Sequence, residues 1–292
     1  MNLSKHPVMN CGTPILATDL DGTLIPSEPM NLKSPETRAL QHLGERAKSG
    51  ELEIIFVTGR HFESVIHAIQ SIQLPTPQWI ICDVGSSIYH FNGIEYGLVD
   101  CYRNHLHDIT CNQPPSALSH MFEGLLSMQL QEAEKQSINK LSYYCEATDV
   151  EGCVESIDAI LRSNKLPHSV IHSLDPFSGD GLIDIMPRGV NKAYALHWWS
   201  EWKGIDHDRI VFAGDSGNDF DALTSRYRGI VVGNAETGLV SRILEHHRIG
   251  NTSDRIYLAQ SAFTAGVLEG CLHFGIVEDD YESPLLPTEQ GN

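Results

Sequence analysis

The sequence lacks long apolar runs, close cysteine pairs and an excess of positive charge. No stretch approaches the roughly 18 apolar residues of a membrane-spanning helix, and the first residues contain no apolar segment typical of a signal peptide. Lysine and arginine number 20 against 38 acidic residues, which gives a net charge of −18. We therefore expect neither nucleic acid nor a membrane as a partner, because nucleic acid and anionic membrane surfaces repel such a chain.

The cysteines are odd in number and scattered, and no two of them form a Cys-x-x-Cys pair. This usage predicts reduced thiols and a cytoplasmic location. The seven positions are Cys11, Cys82, Cys101, Cys111, Cys145, Cys153 and Cys271.

Short β-branched runs alternate with amphipathic stretches in the first third and again in the last third of the chain. Ser34 is a candidate N-cap, with Pro35 at the first position of a helix over 34–48. Continuous apolar strands separated by helices predict an α/β fold with a doubly wound parallel sheet, Rossmann-like, and a ligand site beyond the carboxyl ends of its strands. The predicted strands cover 14–19, 53–57, 79–82, 209–213 and 229–232, and a second helix covers 62–72.

The middle of the chain has a different pattern, with shorter strands of alternating character. It predicts an α+β cap domain with antiparallel pairing, inserted after the third strand. Its predicted elements are a hairpin over 83–99 turning at Asn92-Gly93, helices over 115–137 and 154–165, and strands over 140–147, 168–174 and 181–186. The resulting boundaries are a core domain over 1–102, a cap over 103–186, the rest of the core over 187–277, and an acidic, poorly ordered tail over 278–292.

Asp19 and Asp21 follow the first predicted strand, in the run Thr-Asp-Leu-Asp-Gly-Thr. Side chains two residues apart on an extended chain point the same way, so both carboxylates face one small volume. Two like charges this close need a cation or a shared proton. A calcium loop would need Glu at the twelfth position counted from Asp19, where Met30 stands. An ordinary turn and a metal-assisted catalytic site remain as the two interpretations of this motif alone.

Three further segments supply what such a site needs. Thr58-Gly59-Arg60 follows the second strand and begins a helix, where free N–H groups can bind an anion. Lys192 begins another helix, although a cation in the first turn opposes the helix dipole, and a bound phosphate would explain it. The run Gly-Asp-Ser-Gly-Asn-Asp at 214–219 again places two carboxylates, Asp215 and Asp219, just past a buried strand. Oxygen ligands of this kind suit Mg²⁺.

Taken together and in this order, these segments resemble the signatures of the haloacid dehalogenase (HAD) superfamily with a C2-type cap. A narrower resemblance runs over about residues 14 to 275 and points to the sucrose-6-phosphate phosphatase family and related glycoside-phosphate phosphatases. It rests on ICDVGSSIY at 81–89, NKLSYY at 139–144, DIMPRGVNKAYAL at 184–196 and AGVLEGCLHFG at 265–275.

The resemblance implies a magnesium-dependent phosphatase that hydrolyses sucrose 6-phosphate to sucrose and phosphate. Asp19 would be the nucleophile that forms an aspartyl-phosphate, and Asp21 the general acid and base. Asp19, the backbone oxygen of Asp21 and Asp215 would hold the metal, with Asp219 acting through a water or behind the direct ligands.

The resemblance also assigns substrate contacts. Thr58, Gly59 and Lys192 would hold the phosphoryl oxygens, Arg60 would add a basic contact, and Asn218 would orient Asp19 or the phosphate. Sugar contacts would come from the cap and the neighbouring core. Their candidates are Lys140, Ser142 and Tyr144, with Ser86 and Ser87, although ordinary strand packing explains these residues equally well.

Several alternatives remain open at this point. The substrate could instead be glucosylglycerol phosphate, mannosylglycerate phosphate or mannosylfructose phosphate, and a phosphomutase is a less favoured enzymatic interpretation. The chain could also be a binding module and not an enzyme, namely a non-catalytic sugar-phosphate-binding module that docks on a synthase. The expected partners are a sugar phosphate and a glycosyl-phosphate synthase, and the expected assembly is a monomer or small homo-oligomer.

Overall fold

The computed structural model describes residues 12–26, 34–125, 127–174 and 178–278. Cys11 and all of the predicted tail except Glu278 lie outside these residues. By its internal contacts the chain divides into two compact units. The first comprises the described residues of 1–58, 68–79 and 197–292, and the second those of 59–67 and 80–196. The predicted cap, 103–186, falls inside the second unit, and its boundaries stay a prediction.

The strands are β1 Ile15–Thr18, β2 Glu53–Val57, β3 Trp79–Cys82, β4 Ser87–Phe91, β5 Tyr96–Leu98, β6 Met128–Leu130, β7 Leu141–Cys145, β8 His168–Leu174, β9 Gly181–Pro187, β10 Ile210–Gly214, β11 Arg228–Val231 and β12 Ile256–Leu258. The α-helices are α1 Pro35–Ser49, α2 Phe62–Ile72, α3 Asp100–Ile109, α4 Val150–Ser163, α5 Lys192–Lys203, α6 Phe220–Leu223, α7 Thr237–Gly250 and α8 Phe263–His273.

The first unit contains five parallel strands in the order β12-β11-β10-β1-β2. β1 pairs with β10 from Ile15 opposite Ile210, and with β2 from Ile15 opposite Glu53. All four residues of β1 and all five of β10 are buried, as expected for strands covered on both faces. Helix α8 packs against α1 and β11. The predicted α/β class with a parallel sheet and flanking helices is confirmed.

Helix α1 begins and ends as the sequence predicts. The Ser34 hydroxyl oxygen accepts a hydrogen bond from the Thr37 N–H at 3.2 Å, and Pro35 occupies the first turn. Gly50 closes the helix in the left-handed conformation, with φ of 79°. The cap at each end satisfies backbone groups that the helix itself leaves unpaired.

The second unit contains the antiparallel hairpin β4–β5 and a four-stranded antiparallel sheet in the order β6-β7-β9-β8. The Asn92 side chain accepts hydrogen bonds from the N–H groups of Ile94 and Glu95, which confirms the predicted turn. Residues of α4, β7 and β9 form one apolar core, in which Ile157, Ile183 and Ile185 are fully buried.

The predicted helix over 115–137 is wrong. The chain there forms a 3₁₀ turn over Pro115–Met121, the edge strand β6 and a short 3₁₀ turn over Ala133–Lys135. Gly124 adopts a left-handed φ of 96°, which interrupts a helix, and β6 pairs with β7 instead. The α-helix of this region is α3, which the sequence pattern does not predict and which spans the predicted boundary at 102/103.

Two features follow from composition. Within the part of the chain that the structure describes, no helix has both the length and the apolarity to cross a membrane. All six cysteines within it are free thiols, as the scattered spacing predicts.

Candidate active site

The turn after β1 holds Asp19 firmly. Its N–H donates to the Ala213 carbonyl on β10 at 2.9 Å, and its side chain is 4% exposed. The following residues fold back at once, because the Ile25 N–H donates to the Leu20 carbonyl at 2.7 Å and the Gly22 N–H to the Ile25 carbonyl. A buried carboxylate therefore stands at the carboxyl end of a central parallel strand, and Asp21 lies half-buried beside it.

Asp215 follows β10 and packs against the same turn. A Cβ atom on Gly22 would lie 2.4 Å from Asp215 Oδ2, and Gly22 has a left-handed φ of 79°. The Thr23 hydroxyl donates to Asp215 Oδ1 at 2.7 Å. Glycine at this position thus serves two purposes: it permits the turn and leaves room for the carboxylate.

Asp219 shapes the loop that carries Asp215. Its Oδ2 accepts hydrogen bonds from the N–H groups of Asp215 and Ser216, both at 3.1 Å, and from the Ser216 hydroxyl. The residue is fully buried. Asn218, by contrast, is exposed, and its Oδ1 accepts from the Ser216 hydroxyl at 3.1 Å. Asp219, one of the two acids in the run at 214–219, is therefore the residue that caps the loop carrying Asp215.

The three carboxylates at 19, 215 and 219 could hold a metal ion. Each offers one oxygen, and these oxygens all lie within 4.8 Å of one another. An all-oxygen donor set with open positions is the environment that Mg²⁺ takes in proteins. The residues present therefore fit the metal that the sequence predicts.

A second cluster of side chains contains His197, Glu201 and His207. Glu201 Oε1 lies 3.3 Å from His207 Nε2, and also 3.5 Å from Arg226 Nη1. Burial and the Arg226 guanidinium lower the pKa of His207. Since the guanidinium already neutralises the carboxylate, we interpret this group as a surface ion-pair cluster.

Asn234 is a site residue that sequence reasoning missed. Its Nδ2 donates to the Gly22 carbonyl at 2.7 Å, and its Oδ1 accepts from the Phe263 N–H at 2.9 Å. It supports the turn that carries the acidic pair. A signal was present, because Asn234 comes shortly after β11, whose carboxyl end lies at the same edge as those of β1 and β10.

The predicted phosphate-binding residues are distributed over both units. Thr58 directly follows β2 in the first unit and is 1% exposed. Gly59, Arg60 and Lys192 belong to the second unit. Lys192 is the first residue of α5 and is fully buried, and the Asn191 side chain caps that helix by accepting from the Tyr194 N–H.

The predicted sugar contacts of the second unit already have protein partners. Lys140 Nζ lies 3.1 Å from Asp83 Oδ1, and the Ser142 hydroxyl donates to Asp184 Oδ1 at 2.5 Å. The Tyr144 hydroxyl donates to Glu132 and contacts Lys135. The Ser86 hydroxyl donates to the Asp83 carbonyl at 3.0 Å, and Ser87 begins β4.

Two of these residues, Ser142 and Tyr144, lie on the face of β7 that points away from the apolar core. Leu141, Tyr143 and Cys145 pack into the apolar core with α4. Side chains alternate along a strand, so Ser142 and Tyr144 project from the opposite face. That face is the polar one, with Asp184 of β9 directly opposite Ser142.

Comparison with known proteins settles the family. Residues 13–275 match the model of the sucrose-6F-phosphate phosphohydrolase family. The chain belongs to this family. As a family member it is a HAD-type hydrolase of phosphoric monoesters, which confirms both the superfamily resemblance and the assignment as a sugar phosphatase.

Individual relatives agree with the family assignment. A HAD-like hydrolase of Nitrosococcus oceani is 33% identical over 273 residues, covering 89% of this chain and 71% of that protein. The mannosylfructose-phosphate phosphatase of Agrobacterium fabrum is 27% identical over 267 residues, covering 90% and 97%. The structure of the sucrose-phosphatase of Synechocystis sp. PCC6803, solved with sucrose and phosphate, matches with a TM-score of 0.70 and 26% identity, covering 90% of this chain and 98% of that one.

Proposed function

We propose that this sugar phosphatase is magnesium-dependent and hydrolyses sucrose 6-phosphate to sucrose and phosphate through an aspartyl-phosphate. The observation that carries the proposal is the cluster of carboxylates at Asp19, Asp215 and Asp219 in a member of this family. The buried position of Asp19 at the end of β1 suits a nucleophile, because attack in line requires a fixed carboxylate shielded from bulk water.

The reaction proceeds in two displacements. In the first, an oxygen of Asp19 bonds to phosphorus while the bond from phosphorus to the sugar oxygen breaks. Asp21 gives its proton to the leaving oxygen, and the free sugar departs. In the second, Asp21 takes a proton from water as that water bonds to phosphorus. The bond from phosphorus to Asp19 breaks, and inorganic phosphate is released.

Mg²⁺, held by Asp19, the backbone oxygen of Asp21 and Asp215, would supply positive charge against the phosphoryl oxygens and relieve repulsion between the carboxylates. Asp219 would not bind the metal directly. It would hold the loop that carries Asp215, consistent with the three hydrogen bonds that it accepts from that loop.

The remaining predicted residues bind substrate in this proposal. Thr58, the Gly59 N–H and Lys192 hold the phosphoryl oxygens, whose charge must be stabilised during transfer. Arg60 and Asn218 contribute at the phosphate, and Ser86, Ser142 and Tyr144 at the sugar. Thr58 is 1% exposed and Lys192 is fully buried, which supports the first group, because a charge or dipole acts on a phosphoryl oxygen more strongly away from bulk water.

Replacement of the nucleophile tests the mechanism. Asp19→Asn should reduce phosphate release from sucrose 6-phosphate by at least about a thousandfold, because an amide oxygen is a poor nucleophile. The melting temperature should stay close to that of the parent. Asp254→Asn, which changes an exposed aspartate of the first unit, is the matched control and should keep full activity. Turnover by Asp19→Asn would exclude Asp19 as the nucleophile.

Metal removal tests the cofactor. Dialysis against EDTA should abolish phosphate release, and added Mg²⁺ should restore it, because the carboxylates alone repel the substrate phosphate. Unchanged activity in EDTA would contradict magnesium dependence. Mg²⁺ should also raise the melting temperature of the parent, and of Asp215→Asn much less.

A panel of substrates decides between sugars. Sucrose 6-phosphate should have a higher kcat/KM than glucosylglycerol phosphate, mannosylglycerate phosphate, mannosylfructose phosphate and glucose 6-phosphate. Preference for mannosylfructose phosphate would support the second candidate, which the Agrobacterium relative favours by its name. Preference for simple hexose phosphates would contradict both. Binding without turnover would support a non-catalytic module.

We also propose a cytoplasmic location, a monomer or small homo-oligomer, and a glycosyl-phosphate synthase as partner. The free thiols support the location. Copurification tests the synthase as partner, and light scattering of the pure chain tests the oligomeric state.

A further inference from the structure

The segment that follows β3 has an unusual backbone. Three consecutive residues, Asp83, Val84 and Gly85, adopt left-handed φ values of 51°, 56° and 100°. Glycine adopts this region freely, but a β-branched residue such as valine does so only when its surroundings impose it. All three residues are buried. Something in the second unit therefore holds this segment in place.

The segment touches both elements of this unit that we assign to the phosphoryl group. The Asp83 N–H donates to the Arg60 carbonyl at 2.8 Å. A Cβ on Gly59 would lie 4.0 Å from Val84 Cγ2. A Cβ on Gly85 would lie 2.2 Å from the Asn191 carbonyl oxygen and 3.0 Å from the Lys192 backbone nitrogen. The conformation of the segment thus determines where these two backbones can lie.

The side chain that pairs with this segment comes from a distant part of the chain. Lys140 Nζ lies 3.1 Å from Asp83 Oδ1, and the two side chains are each 6% exposed. Burial lowers the pKa of Lys140, but the carboxylates of Asp184 and Asp83 raise it by more, so the ammonium stays charged. Buried charges are stable only when paired, and removal of one leaves the other uncompensated.

We propose that Lys140 is a positioning residue for phosphoryl binding: through Asp83 it holds the left-handed segment 83–85, which sets the backbones of Gly59–Arg60 and Asn191–Lys192. This inference rests on the proposed function, and it gives Lys140 a role distinct from direct contact with the sugar. A direct contact would affect only substrates that contain the sugar. A positioning role affects every phosphate ester, whatever its leaving group.

The decisive experiment compares two substrates. Lys140→Met removes the charge and keeps the length of the side chain. With p-nitrophenyl phosphate, which contains no sugar, kcat should fall at least tenfold, and it should fall by a similar factor with sucrose 6-phosphate. Lys48→Met, which changes an exposed lysine of α1, should leave both rates unchanged. Loss of sucrose 6-phosphate hydrolysis alone, with p-nitrophenyl phosphate unaffected, would overturn the proposal in favour of a sugar contact.

A double variant separates positioning from folding. Lys140→Met alone should lower the melting temperature, because burial raises the pKa of Asp83 and the variant removes the ammonium that opposes this cost. Lys140→Met with Asp83→Asn should recover much of that loss, since neither charge then remains. The double variant should still hydrolyse p-nitrophenyl phosphate slowly, because nothing ties segment 83–85 to Lys140. Recovery of both stability and rate in the double variant would reduce the pair to a structural role and overturn the proposal.

Binding of inorganic phosphate gives a readout independent of turnover. Phosphate with Mg²⁺ should raise the melting temperature of the parent chain, and the rise should be at least halved in Lys140→Met. An equal rise in the two proteins would contradict the proposal even if the parent proved inactive on every sugar phosphate. Inactivity of the parent would instead contradict the proposed function.

Discussion

Gly22 links the conformation of the first acidic turn to the position of Asp215. A side chain at this position is excluded on two grounds: its φ is 79°, and a Cβ would lie 2.4 Å from Asp215 Oδ2. The first ground concerns backbone strain and the second concerns the proposed metal ligand. The chain offers a way to separate them, because Gly50 has the same φ of 79°, and a Cβ there would meet no atom within 4 Å among the described residues.

We predict that Gly22→Ala and Gly50→Ala lose similar stability but differ in function. Each should cost about 1 kcal/mol or more of unfolding free energy, since alanine is strained at positive φ. Only Gly22→Ala should raise the Mg²⁺ concentration needed for half-maximal activity and reduce kcat at least tenfold, because the new methyl group displaces the Asp215 carboxylate. Urea unfolding and a Mg²⁺ titration of activity measure the two effects. Equal activities would show that Asp215 tolerates displacement.

At the residue scale, sequence reasoning succeeds where function follows a local pattern. Asp19, Asp215 and Asp219 are predicted to come together because each follows a strand of one parallel sheet, and the structure places their oxygens within 4.8 Å. Asp83 and Asn234 were missed, because their partners lie far away in sequence. Asn234 contacts Gly22 across 212 positions. No local pattern records such a pairing.

At the scale of elements, the start of α1 rests on one hydroxyl. The Ser34 oxygen accepts from the Thr37 N–H at 3.2 Å. Ser34→Ala should lower the unfolding free energy by about 1 kcal/mol, because one backbone donor of the first turn loses its partner. Ser34→Asp should retain the stability, since aspartate caps equally well. Chemical denaturation checks both; equal loss in the two variants would show that the loss does not come from the capping hydrogen bond.

Elements with strong local signals were predicted closely. β2 over Glu53–Val57, α2 over Phe62–Ile72 and β8 over His168–Leu174 have the predicted bounds. The predicted helix over 115–137 failed because its local propensity opposes a tertiary pairing. β6 obtains backbone hydrogen bonds from β7, and this gain outweighs helix formation in a stretch interrupted by Gly124.

At the scale of the whole molecule, one carboxylate makes stability depend on pH. Glu269 of α8 accepts hydrogen bonds from the N–H groups of Gln260 and Ser261, both at 2.9 Å, and from the Tyr257 hydroxyl at 2.8 Å. Burial raises the pKa of Glu269, but these hydrogen bonds lower it by more, so the net pKa lies below its ordinary value of 4.5.

The sign of the effect follows from this shift. A carboxyl whose pKa is depressed by folding contributes stability above its unfolded pKa, and that contribution is lost as the pH falls through the folded pKa. The parent should therefore exceed Glu269→Gln in melting temperature near neutrality, and the difference should shrink as the pH falls below 4.5. Glu155→Gln, at an exposed position of α4, is the control. A difference that stayed constant down to strongly acid pH would contradict this account.

The architecture was predictable for a physical reason, and the sugar was not. Buried parallel strands need short but uninterrupted apolar runs, which are visible in the sequence as in β10, where all five residues are buried. Substrate choice depends on polar side chains of the second unit. Those that the sequence suggested, such as Ser142 and Tyr144, have partners within the protein, namely Asp184 and Glu132.

The strand order of the first unit has a consequence for biosynthesis. β1 pairs with β2 on one side and with β10 on the other, so the growing chain cannot finish this pairing until residue 214 has left the ribosome. By then residues 80–196 have already been made. Until β10 arrives, one edge of β1 presents unpaired N–H and C=O groups, the kind of surface on which chains aggregate. The strand order therefore exposes an edge of β1 during translation that β10 covers in the folded chain.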